Sequence, residues 1–185
     1  MQPIWIDKVE VARRQISEGV TLFFESRDFV VIHTVIASAH QILIDVGKEQ
    51  GIVSVVKNPE GMTREEFRKH VRTINEPYNF FKHADKDPKG KINIAPIERF
   101  TSDFMLDAIV MLQNISGKIP LEAKVFWSWF VSTYPDEFDN CPKDGSIKHL
   151  MSLGLNEWDF PTIKQFLIFG EIMQEANTYE PSTSQ

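Results

Sequence analysis

Residues 28 to 46 read DFVVIHTVIASAHQILIDV, a nineteen-residue run whose polar interior positions are His33, Thr34, Ser38, His40, Gln41 and Asp45. A helix that is apolar nearly all round cannot lie on a surface, because too much of its circumference would face water. This run therefore predicts a central helix over 28–46, buried on several sides, and it requires neighbours that are themselves amphipathic.

The flanking sequence supplies them. Val9, Ala12, Ile16, Val20 and Phe23 fall on one stripe of residues 7–25, the three-four spacing of an amphipathic helix. Ser26, Arg27 and Asp28 interrupt that helix and can cap the next, and Gly47 and Gly51 bracket the end of the central one. Thr63 and Glu66 form a capping box ahead of TREEFRKHVRTI, each side chain able to satisfy the other's free backbone N–H. Pro77 then either opens a new helix, PYNFFKHAD, or kinks the old one. DKDPKG is turn chemistry, and KINIAPI reads as a short extended connector.

Further helices are predicted over 101–115, over LEAKVFWSWFVSTY between Pro120 and Pro135, around SIKHLMSL, and over TIKQFLIFGEIMQEA after Pro161. The expectation is one all-α domain over residues 1–178. It is a single helical bundle of about five to seven helices with one short extended connector, and 179–185 form a flexible tail.

Composition narrows the function classes. Fourteen Phe and four Trp in 185 residues make the core aromatic-rich, and some of Phe126, Trp127, Trp129 and Phe130 are expected to face a partner. The single cysteine, Cys141, excludes an intrachain disulfide and a cysteine-based zinc cage. The opening MQPIWIDKVEVARR lacks the apolar run of a secretory signal, and no later segment is read as membrane-spanning, so a cytoplasmic protein is expected. No dinucleotide or phosphate-loop glycine pattern is present, which argues against hydride transfer and ATP hydrolysis of the usual kinds, and no cofactor is expected.

The net charge of −6 is unevenly spread: Arg64 to Lys91 holds eight basic and five acidic residues, leaving +3 there and −9 elsewhere. Such a segment can create a local positive field on an acidic protein. It also contains DKDPKGKINI, where Asp85, Asp87 and Gly90 fit part of a calcium loop. Lys89 and Pro96 stand where ligand oxygens are required, so the stretch is read as a turn.

Two constellations carry chemistry. His33 and His40 lie seven residues apart on the central helix, and Asp103 and Asp107 share a face of a later one. His33, His40 and Asp107 thus make an alternative metal set, against the simpler reading of buried histidines hydrogen-bonded within a core. The second constellation is YNFFKH, in which Asn79 and His83 are i, i+4 and Lys82 flanks them. A histidine with an amide partner and a nearby cation can hold a phosphate and move a proton near neutral pH.

On these residues the chain resembles the HEPN superfamily of all-α domains. The likeness lies in the buried helix HTVIASAHQILIDVGKEQG with its polar His40, and in Tyr78-Asn79-Phe80-Phe81-Lys82-His83 at the family's common Arg-Asn-x-x-x-His. It covers residues 7 to 116. The resemblance implies a four- to five-helix bundle that dimerises around a shared cleft, and in many members metal-independent ribonuclease activity.

Tyr78 stands at the arginine position, where it cannot offer a bidentate phosphate fork. The favoured expectation is accordingly a non-catalytic homodimer that binds RNA, a nucleotide or a protein partner. The alternative is a ribonuclease of toxin or antiviral type, with His83 as general acid/base, Asn79 orienting it and Lys82 stabilising charge. Tyr78, Arg72, His40 and Lys86 are the surrounding binding candidates.

Overall fold

A computed structural model describes residues 2–85, 87–138 and 145–178, with side chains described except at 145–146 and 172–178. Lys86, one of the binding candidates, and Cys141 lie outside the described residues. The described residues form seven α-helices and no strands, an all-α bundle as the hydrophobic periodicity predicts.

The chain divides into two compact units, Met1–Ala123 and Lys124–Gln185. The first contains α1 (Lys8–Phe24), α2 (Phe29–Gly47), α3 (Arg64–Lys82) and α4 (Ile97–Ser116), and ends just inside α5 (Leu121–Thr133). The second contains the rest of α5, α6 (Gly145–Ser152) and α7 (Phe160–Thr178).

In the first unit α2 is the centre. Asp7 caps α1 by accepting the Glu10 N–H at 2.7 Å, and Asp28 caps α2 by accepting the Val30 N–H at 2.8 Å. Between these helices Ser26 takes φ +54°, the left-handed turn that reverses the chain. The pair runs antiparallel, with Gln15 donating to Ser38 at 3.2 Å. One turn on, Gly19 lies so close to α2 that a Cβ there would sit 2.4 Å from Ile36 Cδ1.

α2 packs equally closely on α4, and α3 makes a narrower contact with it. Ile16, Ile32, Ile36, Leu43, Phe104, Met105, Ile109 and Leu112 are fully buried here. Each such side chain stabilises the fold by roughly 1.5–3 kcal/mol relative to exposure.

One expectation changes and another narrows. The segment Phe29–Gln50 is by length and composition sufficient to cross a membrane, contrary to the reading that none is. Its apolar circumference has another cause in this structure, since it faces α1 and α4 at once. Secondly, of the two readings of Pro77, a helix start or a kink within one helix, the start is excluded. α3 runs unbroken from Arg64 to Lys82 although Pro77 supplies no N–H to the Thr73 carbonyl, and Pro77 and Ile74 are its two buried residues. The capping box forms as expected, Thr63 N–H donating to Glu66 Oε2 at 2.9 Å and Glu66 N–H to Thr63 Oγ1 at 3.3 Å.

In the second unit, aromatic rings step from Phe126 through Phe130 to Tyr134 and Phe138, with Phe130 and Tyr134 centroids 4.8 Å apart. The Leu155 N–H donates to Ser132 Oγ at 3.0 Å, and Lys124 pairs with Glu171.

Candidate functional site

The central polar group of the first unit is built on α2, α4 and the irregular stretch between α2 and α3. His40 Nε2 lies 2.7 Å from Asp107 Oδ2, Ser54 Oγ donates to that same oxygen at 2.5 Å, and the Val55 N–H donates to Oδ1 at 3.2 Å. Asp107 is 6% exposed and His40 fully buried. Hydrogen bonds from His40 and Ser54 keep the Asp107 carboxyl below its ordinary range against the opposing effect of burial. Burial pushes His40 down more strongly than Asp107 raises it. The pair is therefore a carboxylate accepting from a neutral imidazole through Nε2–H, which leaves His40 Nδ1 a buried lone pair without a partner.

His33 repeats the pattern. Thr101 Oγ1 donates to the Ile97 carbonyl at 2.6 Å, so it accepts from His33 Nδ1–H at 3.1 Å. His33 Nε2 is then a second unpartnered lone pair. Burial, reinforced by His40, lowers the His33 pKa to about 4. Phe104 packs against both imidazoles, with centroid distances of 5.4 Å and 4.7 Å.

This geometry corrects one expectation and removes one alternative. His40 is a core residue sealed from solvent, not a binding residue. His33, His40 and Asp107 do not form a metal set either: Asp107 spends both oxygens on protein donors, and among the described residues no three His, Cys, Asp or Glu side chains are grouped to hold a metal. Asp103 turns away to Arg99 on its own helix, at 3.0 Å.

The YNFFKH segment behaves differently. α3 stops at Lys82, and His83 caps it in extended backbone (φ −129°, ψ 110°) with its N–H on the Asn79 carbonyl at 3.2 Å. His83 is thus just past the helix rather than within it. Asn79 and His83 nevertheless line one open hollow of about 660 Å³, together with Arg68, Arg72, Asn75 and Glu76. The positions 68, 72, 75 and 79 advance by four or three residues, which places them in one file along α3, and His83 follows just past its end. Arg68, Arg72, Asn79 and His83 are exposed. Among the described residues, neither arginine has an ion-pair partner, and His83 stands 3.9 Å from Asp85.

Lys82 and Tyr78 do not belong to this group. The Lys82 ammonium lies 3.9 Å from the centre of the Tyr78 ring, a cation–π pair on another face of α3. Arg68 and Arg72, not Lys82, are the cations that line the hollow with Asn79 and His83. Sequence reasoning missed Arg68, Asn75 and Glu76 because the file becomes visible only when α3 is continued through Pro77. Asp87 also lines the hollow, from the turn that was rejected as a calcium loop.

Comparison of the chain with protein-family models, with curated proteins and with solved structures finds no match.

Proposed function

We propose that the chain is a HEPN-like helical module whose α3 hollow binds the phosphates of RNA or a nucleotide. The observation that carries this reading is the file of Arg68, Arg72, Asn75 and Asn79 along one face of α3, with His83 just past its end in the same hollow. Two unpaired guanidiniums give planar, multidentate donors for phosphate oxygens. The amide of Asn79 and the imidazole of His83 add further hydrogen-bonding groups, while the Asn75 amide, whose Nδ2 donates to the Val71 carbonyl at 2.8 Å, presents its oxygen. Glu76 and Asp87, in the same hollow, favour ligands that also present donors, such as base amino groups or ribose hydroxyls.

Binding of a fluorescently labelled single-stranded RNA, followed by anisotropy, tests this. Arg68→Ala and Arg72→Ala are expected to weaken binding, whereas Lys69→Ala, whose residue does not line the hollow, is expected to have little effect. Equal binding by all three variants would contradict the reading.

A second reading, metal-independent ribonuclease action, is supported by one observation: Arg72 stands with Asn79 and His83 in one hollow although Tyr78 fills the motif's arginine position. In that case His83 moves the proton and Arg72 carries the phosphate charge. Cleavage in the presence of EDTA that falls by about 100- to 10,000-fold in His83→Ala would support it. Binding without cleavage leaves the module a binder.

A further inference from the structure

Two apolar surfaces of the first unit lie open at opposite ends of the α1–α2 pair. One is the extended segment before α1, where Ile4 is 94% and Trp5 89% exposed. The other is a groove of about 420 Å³ between the start of α2 and the end of α3, lined by Val30, Val31, Thr34, Val35, Phe80 and Phe81. Val31 is 52% exposed within it. Contiguous exposed apolar surface is a mark of interaction sites.

The segment cannot fill the groove of its own chain. Antiparallel packing sets Gln15 beside Ser38 and Gly19 beside Ile36, so Lys8 lies near the last turn of α2. From there back to Val31 is about 22 Å along the helix at 1.5 Å per residue. Trp5 precedes Lys8 by three residues, which span at most about 10 Å when fully extended. A second copy has no such limit.

The geometry points to reciprocal arm exchange, in which Ile4, Trp5 and Ile6 of one copy occupy the groove between α2 and α3 of another. The exchange is self-complementary and closes as a two-fold dimer. Each tryptophan contributes on the order of 200 Å², so two arms with their grooves bury on the order of 1,000 Å² in total, near the lower edge of specific interfaces. Phe80 lines both the groove and the α3 hollow, so the arm of the second copy ends beside the proposed ligand site.

Sedimentation velocity of the full chain between about 1 and 100 μM, a range spanning weak to moderate affinity, tests the exchange. The wild-type chain is expected to shift from monomer to dimer across that range. Trp5→Ser and Val31→Glu each remain monomeric, with circular dichroism unchanged because both positions are exposed. Mixed one to one, they recover a weaker dimer, since one supplies the groove and the other the arm. A photocrosslinker at position 5, in a mixture of heavy- and light-isotope protein, is expected to join different copies at residues 30–35 or 80–81. A wild-type chain that stays monomeric, a dimer that survives both substitutions, or crosslinks confined to one copy would overturn the proposal.

Discussion

His40 and Asp107 meet across the centre of the first unit at 2.7 Å, one from α2 and the other from α4, and the carboxylate also collects the Ser54 hydroxyl and the Val55 N–H. Asp107 is thus the acceptor that ties the irregular stretch after α2 to the two central helices of the first unit. Ser54 passes the order onward: its hydroxyl oxygen accepts the Lys57 N–H at 2.9 Å, and its carbonyl accepts from Asn58 Nδ2 at 3.1 Å.

Removing that acceptor should be costly. Asp107→Ala takes away the acceptor shared by the buried His40 Nε2–H and Ser54 hydroxyl and by the Val55 N–H, and a loss of about 2–4 kcal/mol is expected. Asp107→Asn retains one carbonyl oxygen and should lose less. Urea denaturation followed by far-UV circular dichroism measures both, and an alanine variant as stable as wild type would show the cluster to be incidental.

Acid should destabilise the fold through His33. Its pKa is about 4 folded against an ordinary 6.5, so below pH 6.5 the unfolded chain binds a proton that the folded chain does not. Stability from this residue is complete above pH 6.5 and declines as the pH falls toward 4, by about 3 kcal/mol in all. His40, also held below its ordinary value by burial, acts in the same direction. Urea midpoints measured from pH 7.5 to 4 should fall steadily, and His33→Gln, which cannot titrate, should flatten the slope. An unchanged slope would remove His33 from the account.

Gly19 reports on how closely α1 and α2 approach. In the interior of a helix, alanine is ordinarily favoured over glycine by about 1 kcal/mol. At this position an added Cβ would lie 2.8 Å from Ile36 Cγ1 as well as 2.4 Å from Cδ1. The clash should outweigh the propensity gain, making Gly19→Ala destabilising by about 1–3 kcal/mol. A rise in thermal midpoint would mean the helices can separate freely.

Much of the fold was legible because it rests on local chemistry. The apolar run of α2, the stripe of α1, the Asp28 cap and the Thr63–Glu66 box are read directly from residue spacing. Pro77 left two readings open: its missing N–H argues for a helix boundary, but it is buried with Ile74 and α3 continues through it. That continuation alone brings Arg68 and Arg72 into line with Asn79 and His83. Ser54 was invisible for another reason, since it lies in an irregular stretch with no period and meets Asp107 only through the tertiary fold. Lys82 was misplaced because Tyr78, four residues earlier, offers its ammonium a ring face.

The most direct test of the central claim is the salt dependence of RNA binding. For single-stranded RNA, the logarithm of affinity should fall linearly with the logarithm of salt concentration, and each arginine removed from the α3 file should reduce the slope by about 0.7. The account predicts that Arg68→Ala/Arg72→Ala binds weakly with a slope lower by about 1.4 than that of wild type. No binding by the wild-type chain at low salt, or a double variant with the wild-type slope and affinity, would contradict it.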